Sequence, residues 1–168
     1  MKDSGSWLLE AAAVSGAVAC AVTAAVAGAA GARASGSAVA PLNAISHVLY
    51  GSRAARVRTI DMPHTALGLA INYGASTFWA GVYEAAFGRA AERGELAKAS
   101  AGAAAVAALA YVTDYHVVPK RLTPGWEERM PPRSLALVYG ALAICLPLRG
   151  LVRGATSRGE RKSGSVES

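Results

Sequence analysis

From Met62 to Tyr83 the chain carries no Asp, Glu, Lys or Arg. A helix of about 22 residues, rising ~1.5 Å per residue, matches the ~30 Å hydrocarbon thickness of a bilayer. No other feature constrains the fold as much. Lipid offers backbone polar groups no partner, so only helices and closed barrels can cross it. Within the stretch, small and polar residues recur at every fourth position: Gly68, Asn72, Ser76 and Ala80, followed by Glu84 and Gly88. Asn72 and Glu84 are then expected to face other helices or a wet cavity, and Gly68 and Ala80 to meet a neighbouring helix.

The rest of the chain repeats this segregation. Hydrophobic residues make up 53% and charged residues 17% of the 168 positions, yet Ala11–Ala32, Ala99–Thr113 and Ser134–Leu148 are also free of charge. The last two are short for a crossing. They reach full length only by admitting Lys98, Asp114 and His116 at the ends of one, and Arg149, which can snorkel, at the end of the other. The sequence therefore predicts an all-α fold: an integral membrane four-helix bundle, one domain over residues 1–153, with helices at roughly 8–32, 64–88, 97–118 and 134–152. A short interfacial helix is expected at about 41–50 in the first long loop, with Pro41 in its first turn, Gly51 just past its end and Leu42, Ile45 and Leu49 on one side. The Ser-, Gly- and Arg-rich segment 154–168 reads as a disordered polar tail. Ala38-Val39-Ala40 imitates a signal cleavage site, but the preceding apolar run is too long and Asp3 and Glu10 spoil the basic leader.

Two rows mark the first helix. Gly16, Cys20, Ala24 and Gly28 form a small-residue row suited to close helix packing; Val14, Val18, Val22 and Val26 lie roughly opposite and suit lipid or a second helix. The third helix, nearly all Ala from Ala99 to Ala110, suits a close-packed interior position. Trp79, Tyr83 and Phe87 read as an interfacial aromatic belt, Trp126 as a residue among headgroups, and Glu84 as a surface partner of Arg89 or Arg93. Cys20 and Cys145 fall mid-span, where a thiol acts as a small hydrophobe.

The net charge of +6 does not point to nucleic acid, because the basic residues flank apolar spans and form no single stripe; anionic headgroups of the bilayer are the expected contact. Lys and Arg divide almost evenly between the two ends of the bundle, so their bias gives little orientation; a polar tail that need not be translocated favours both termini inside. His47, His64 and His116 all fall toward the long-loop side, with Asp61 and Asp114 nearby in sequence. Imidazole and carboxylate at one depth can make a proton relay, a polar-solute site or a metal site, or simply cap helices. No paired E-x-x-H or H-x-x-x-H occurs, nor a nucleophile elbow, phosphate loop or C-x-x-C, so no catalytic residue, metal ligand set or cofactor is assigned.

Pro41-Leu-Asn-Ala-Ile-Ser-His47, Phe78-Trp-Ala-Gly-Val-Tyr-Glu84 and Val118-Pro-Lys-Arg-Leu-Thr-Pro-Gly-Trp-Glu127 together resemble a group of small four-helix bacterial inner-membrane proteins of no assigned activity. The resemblance covers roughly residues 40–145 and implies a multi-pass protein of the bacterial inner (cytoplasmic) membrane. Relatives in that group often carry histidine near the positions of Asn72 and Tyr73; this chain departs there, which weakens a metal role. Two functions remain open. One is a non-catalytic accessory, assembly or stress-related component acting through contact with a membrane-protein partner or a second copy of the chain. The other is a small transporter or channel for protons, metal ions or a small solute, with Asn72, Ser76 and Glu84 lining a route toward Asp61, His64, Asp114 and His116.

Overall fold

The computed structural model describes residues 4–164 and is predominantly helical, with no strand among them. Helix α1 runs Ser4–Ser35, the short α2 and α3 are Ala40–Ile45 and His47–Tyr50, and α4 is Met62–Tyr83. A π-helical turn, Glu84–Gly88, joins α4 to α5, Arg89–Arg93. Helix α6, Leu96–Val112, also ends in a π-helical turn, Thr113–Val117. Helices α7, Pro132–Cys145, and α8, Leu148–Gly164, form one rod interrupted at Leu146-Pro147, where proline lacks the N–H a continuous helix needs.

The long helices make an up-and-down bundle. Helix α1 packs most extensively on α4 and next on α7, α6 packs on α4 and α7, and α5 packs on α8. The pairs α1/α6 and α4/α7 therefore face each other across the diagonals. Trp79, Tyr83, Val106, Tyr139 and Leu142 fill the space between. Among the described residues, three helical rods are long and apolar enough to cross a membrane: Gly5–Ser35, Leu96–Val117 and Pro132–Glu160. Helix α4 has the length but not the apolarity, because its His, Asn, Tyr, Ser and Thr residues offset the aliphatic ones.

Several sequence expectations change. The segment at about 41–50 reaches the surface only at its end, where Leu49 and Tyr50 are exposed. It breaks into α2 and α3, and Ala40, Pro41, Asn43, Ala44 and Ile45 are buried against the bundle. Glycine permits this: a Cβ on Gly68 of α4 would run into the Leu42 carbonyl. The third long helix is the most peripheral rather than interior: 33% of its most apolar window is buried, against 50% for α1. A helix of alanines projects too little side chain to reach across a bundle, so only its Ala99–Gly102–Ala103–Val106–Ala107–Ala110 stripe is covered. Trp79 and Tyr83 are core residues, Phe87 seats over Gly102, and Trp126 is buried, so the expected aromatic belt and headgroup contact are internal packing. The polar segment from Gly154 onward also folds. Helix α8 continues to Gly164 where a disordered tail is expected, because Gly154 and Arg158 rest on the Glu92 carbonyl near the end of α5. Residues 165–168 of that tail lie outside the described residues.

The small-residue row of α1 is real in part. Gly16 meets α4, where a Cβ would stand 2.6 Å from Thr77 Cα, and Cys20 is buried. Gly28 approaches the Ala38 carbonyl. Ala24 is only half-buried, because a strict four-residue row drifts by about 40° per step and the covered stripe passes instead through Thr23 and Ala27. Val14 and Val18 are exposed, whereas Val22 and Val26 are partly buried against the core, so the valine row faces outward only over its first half.

These contacts predict an order of tolerance. Gly68→Ala and Gly16→Leu are expected to cost about 1–3 kcal/mol by forcing backbones apart. Val18→Leu should be mild, and Gly140→Ala, which would enter open space, neutral. Unfolding in detergent measures this; equal tolerance at Gly68 and Gly140 would refute the packing.

Candidate functional site

Two polar clusters lie at opposite ends of the bundle. At the end holding the α1 start, Glu84 is fully buried. Its carboxylate accepts the Ser15 hydroxyl at 2.5 Å (Oε1) and a two-pronged Arg149 guanidinium, Nε to Oε1 at 2.9 Å and Nη2 to Oε2 at 2.7 Å. Arg149 Nη2 also donates to Glu92 Oε1 at 3.1 Å, and Arg153 stands 3.9 Å from the same oxygen. The indole of Trp7 caps the group, with Arg89 at 4.1 Å and Arg149 at 5.6 Å from its ring centroid. Local chain geometry builds the cluster. The π-helical turn carries Glu84, and the missing Cβ of Gly88 leaves room for its carboxylate. The sequence reading thus needs correcting twice: Glu84 pairs with Arg149 rather than Arg89 or Arg93, and Arg149 turns inward rather than snorkelling. The pair is 65 residues apart in sequence, and no local spacing signals it.

At the long-loop end the segments 37–65 and 118–130 knit into a roof. Asn43, fully buried, donates to the Val57 and Thr59 carbonyls at 3.0 and 2.9 Å and accepts from Thr65 at 2.6 Å. His47 places Nδ1 2.9 Å from the Ala44 carbonyl oxygen and Nε2 3.4 Å from that of Lys120. Arg121 donates to the Val48 carbonyl. Gly125 adopts φ +74°, a left-handed turn that favours glycine, and sits against His47 and Ala44, where a Cβ would stand 2.8 Å from His47 Nδ1. Asp61 caps α4 by accepting from the His64 backbone and contacts the His64 ring, which packs on Tyr50. The hydrogen bond with the His64 ring, more than that from its backbone, holds the Asp61 carboxyl below its usual range.

Beneath this roof lies a cavity of about 100 Å³. Helix α4 supplies Asn72, Ser76 and Trp79, α1 supplies Thr23, and α6 with its π-helical turn and α7 supply Asp114 and Tyr139. Leu122, Thr123, Pro124 and Trp126 close the top. Asn72 Nδ2 reaches α1 at the Cys20 carbonyl and sulfur, both at 3.4 Å, and at Thr23 Oγ1, 3.5 Å. Tyr139 donates to Asp114 Oδ2 at 2.5 Å. The buried indole N–H of Trp126 has no partner.

The residues singled out in sequence thus separate. Asn72, Ser76 and Asp114 share the cavity. His47 ties the roof and His64 pairs with Asp61. His116 is exposed beside Tyr111. Glu84 lies 12 positions beyond Asn72, about 18 Å along the helix, behind Trp79 and Tyr83 and outside the cavity lining. Among the described residues no three His, Cys, Asp or Glu side chains gather where one metal ion could be held. Sequence reasoning missed Tyr139, Trp126 and Ser15 as polar-site residues, because each acquires its role only from a distant helix. Compared with known proteins, the chain matches no family model, no curated protein and no solved structure.

Removing one member of a buried pair strands the other charge. Glu84→Gln is therefore expected to destabilise the protein by about 3 kcal/mol or more, and Glu84→Met with Arg149→Met to recover most of that loss. Equilibrium unfolding of the two variants measures it; a Glu84→Gln protein as stable as the native chain would overturn the assignment.

Proposed function

We propose that this chain is a multi-pass protein of the bacterial inner membrane, with α1, α4–α5, α6 and α7–α8 as four crossings, and that it works by binding rather than catalysis. Its ligand on this reading is a small polar solute held in the cavity under the loop roof. One observation carries the proposal: a cavity between four helices whose largely apolar wall is interrupted by Asn72, Ser76, Asp114 and Tyr139. Binding pockets typically pair an apolar wall with a few convergent polar groups. At ~30 Å³ per liquid water the space suits about three waters or a solute of a few heavy atoms. Helix α4, less apolar than the others, would cross the membrane because its polar side chains turn to α1 and to the cavity instead of to lipid. The basic clusters at both ends suit anionic headgroups.

A second reading, an accessory role through helix contact, draws support from a separate groove. Ala104, Ala108, Ala136, Gly140 and Ala143 line an open furrow between α6 and α7, of a kind that admits a partner helix or a second copy.

Two measurements test the proposal. Single cysteines at Ser52 and Ser157, in a chain lacking Cys20 and Cys145, should react with an impermeant reagent from opposite sides of the membrane; labelling from one side would remove the four-crossing topology. Ethanolamine, acetamide and 1-propanol, titrated calorimetrically against the protein in nanodiscs, should include at least one saturable ligand. Ser76→Leu, which fills the cavity, should abolish its binding. No saturable ligand, or an undiminished one in Ser76→Leu, would sink the solute-binding reading.

A further inference from the structure

We infer that a groove on the outside of the bundle, along the seam of α1 and α7, is a binding site for an anionic phospholipid. The inference rests on the membrane-spanning reading and is independent of the solute in the cavity. The groove encloses about 600 Å³, and Arg33 and Arg133 share its lining with Val26, Ala29, Ala30 and Leu137. Two guanidiniums and an apolar furrow match the two halves of such a lipid, its phosphate and an acyl chain.

Helix geometry sets the charged and apolar parts at different depths. Arg33 lies just before the end of α1 at Ser35, and Arg133 is the second residue of α7, which starts at Pro132. Both therefore stand at the long-loop end, at headgroup level once α1 and α7 cross a bilayer. Val26, seven positions before Arg33, and Leu137, four after Arg133, lie about 10 Å and about 6 Å further toward the hydrocarbon. No residue of α4 or α6 lines the groove, and Leu137 is 63% exposed, so it opens away from the core. Alanine side chains on α1 are too short to fill the seam, which leaves the furrow.

The positive charge in this lining is uncompensated. At the opposite end of the bundle the arginines meet acids: Arg89, Arg149 and Arg153 meet Glu92, and Arg93 meets Glu95. Among the described residues no Asp or Glu side chain stands within ion-pair distance of Arg33 or Arg133. Arg33 Nη1 donates to the Ala29 carbonyl at 3.5 Å, a long bond that turns the guanidinium back along α1 toward a residue of the groove. Guanidinium forks suit phosphate oxygens, and basic pockets between membrane helices attract anionic headgroups. A zwitterionic lipid offers the same phosphate but brings a cation beside two others, so a net negative headgroup is preferred. A soluble phosphate ester would satisfy the arginines and leave the furrow uncovered.

Native mass spectrometry of the full chain, released from nanodiscs of equal dioleoyl phosphatidylglycerol and dioleoyl phosphatidylcholine, makes the test. Phosphatidylglycerol should be retained at least about tenfold more often than phosphatidylcholine. Arg33→Gln with Arg133→Gln should abolish that preference. Arg53→Gln with Arg56→Gln, which removes the same charge outside the groove lining, should leave it intact. Should the first pair fail to fold, Ala29→Phe provides the second arm: it fills the furrow with both guanidiniums in place and should cut phosphatidylglycerol retention. Glycerophosphoglycerol, the headgroup without chains, should not displace the lipid. Equal retention of the two lipids by the native chain would overturn the site, as would retention indifferent to both Ala29→Phe and the Arg33 and Arg133 pair. Equal losses in the two arginine pairs would reduce it to general surface charge, and displacement by glycerophosphoglycerol would leave an anion site without a lipid. Labelling at Ser52 and Ser157 separates the two levels. Opposite-side labelling without a lipid preference rejects this site alone, whereas same-side labelling removes the four-crossing topology beneath it.

Discussion

A carboxylate with no exposed surface, held by a guanidinium from the far end of the chain, organises one whole end of this bundle. Glu84 takes two bonds from Arg149 and one from Ser15, so α1, α4 and the start of α8 must stand in one register for the charge to be tolerated. Apolar packing alone would not fix that register. Alanine-rich helices present nearly featureless surfaces, and many relative slides bury similar area. The cost of a stranded charge removes those alternatives. Glu92 then extends the pairing to Arg149 and Arg153, which explains how a polar helix such as α8 stays docked on α5.

The opposite end is fixed by different means. There the chain leaves the helices in two long connections, and their backbone groups need partners. Asn43 and His47 supply them, crossing between segments that the sequence separates widely. The outcome is a roof rigid enough to leave space beneath it. With α4 and α7 on a diagonal, the gap between them is closed by large rings rather than by direct helix contact, and one part of that gap stays open as the cavity. A charged seal at one end and a hydrogen-bonded roof at the other thus enclose the polar pocket between them.

Some of this is legible along the chain. The segregation of charge into short clusters makes helices of crossing length the expectation, and Pro132, Gly125 and Pro41 mark their boundaries and turns. Gly16 and Gly68 advertise close approach, and both are contact points. Asn72 and Ser76, polar in an uncharged run, are buried as that pattern requires. Four of the corrections share one cause. Trp79, Tyr83, Trp126 and Arg149 are amphipathic side chains that suit a membrane interface and a protein interior equally well, and composition cannot choose between the two. A periodic row likewise names a face of a helix without naming its neighbour, which is why alanine-rich α6 reads as interior and lies at the edge.

By itself the sequence determined the helical state, the approximate start of each long helix and the burial of Asn72 and Ser76, because these depend on hydrogen bonding within a segment and on transfer from water, both local properties. Only the tertiary structure decided that Glu84 meets Arg149, that Asp114 meets Tyr139, and that Trp126 closes a cavity with its N–H unmatched. Those pairings depend on which helices become neighbours. That choice is made by the shape of small-residue surfaces and the need to compensate buried charge, summed over the whole chain.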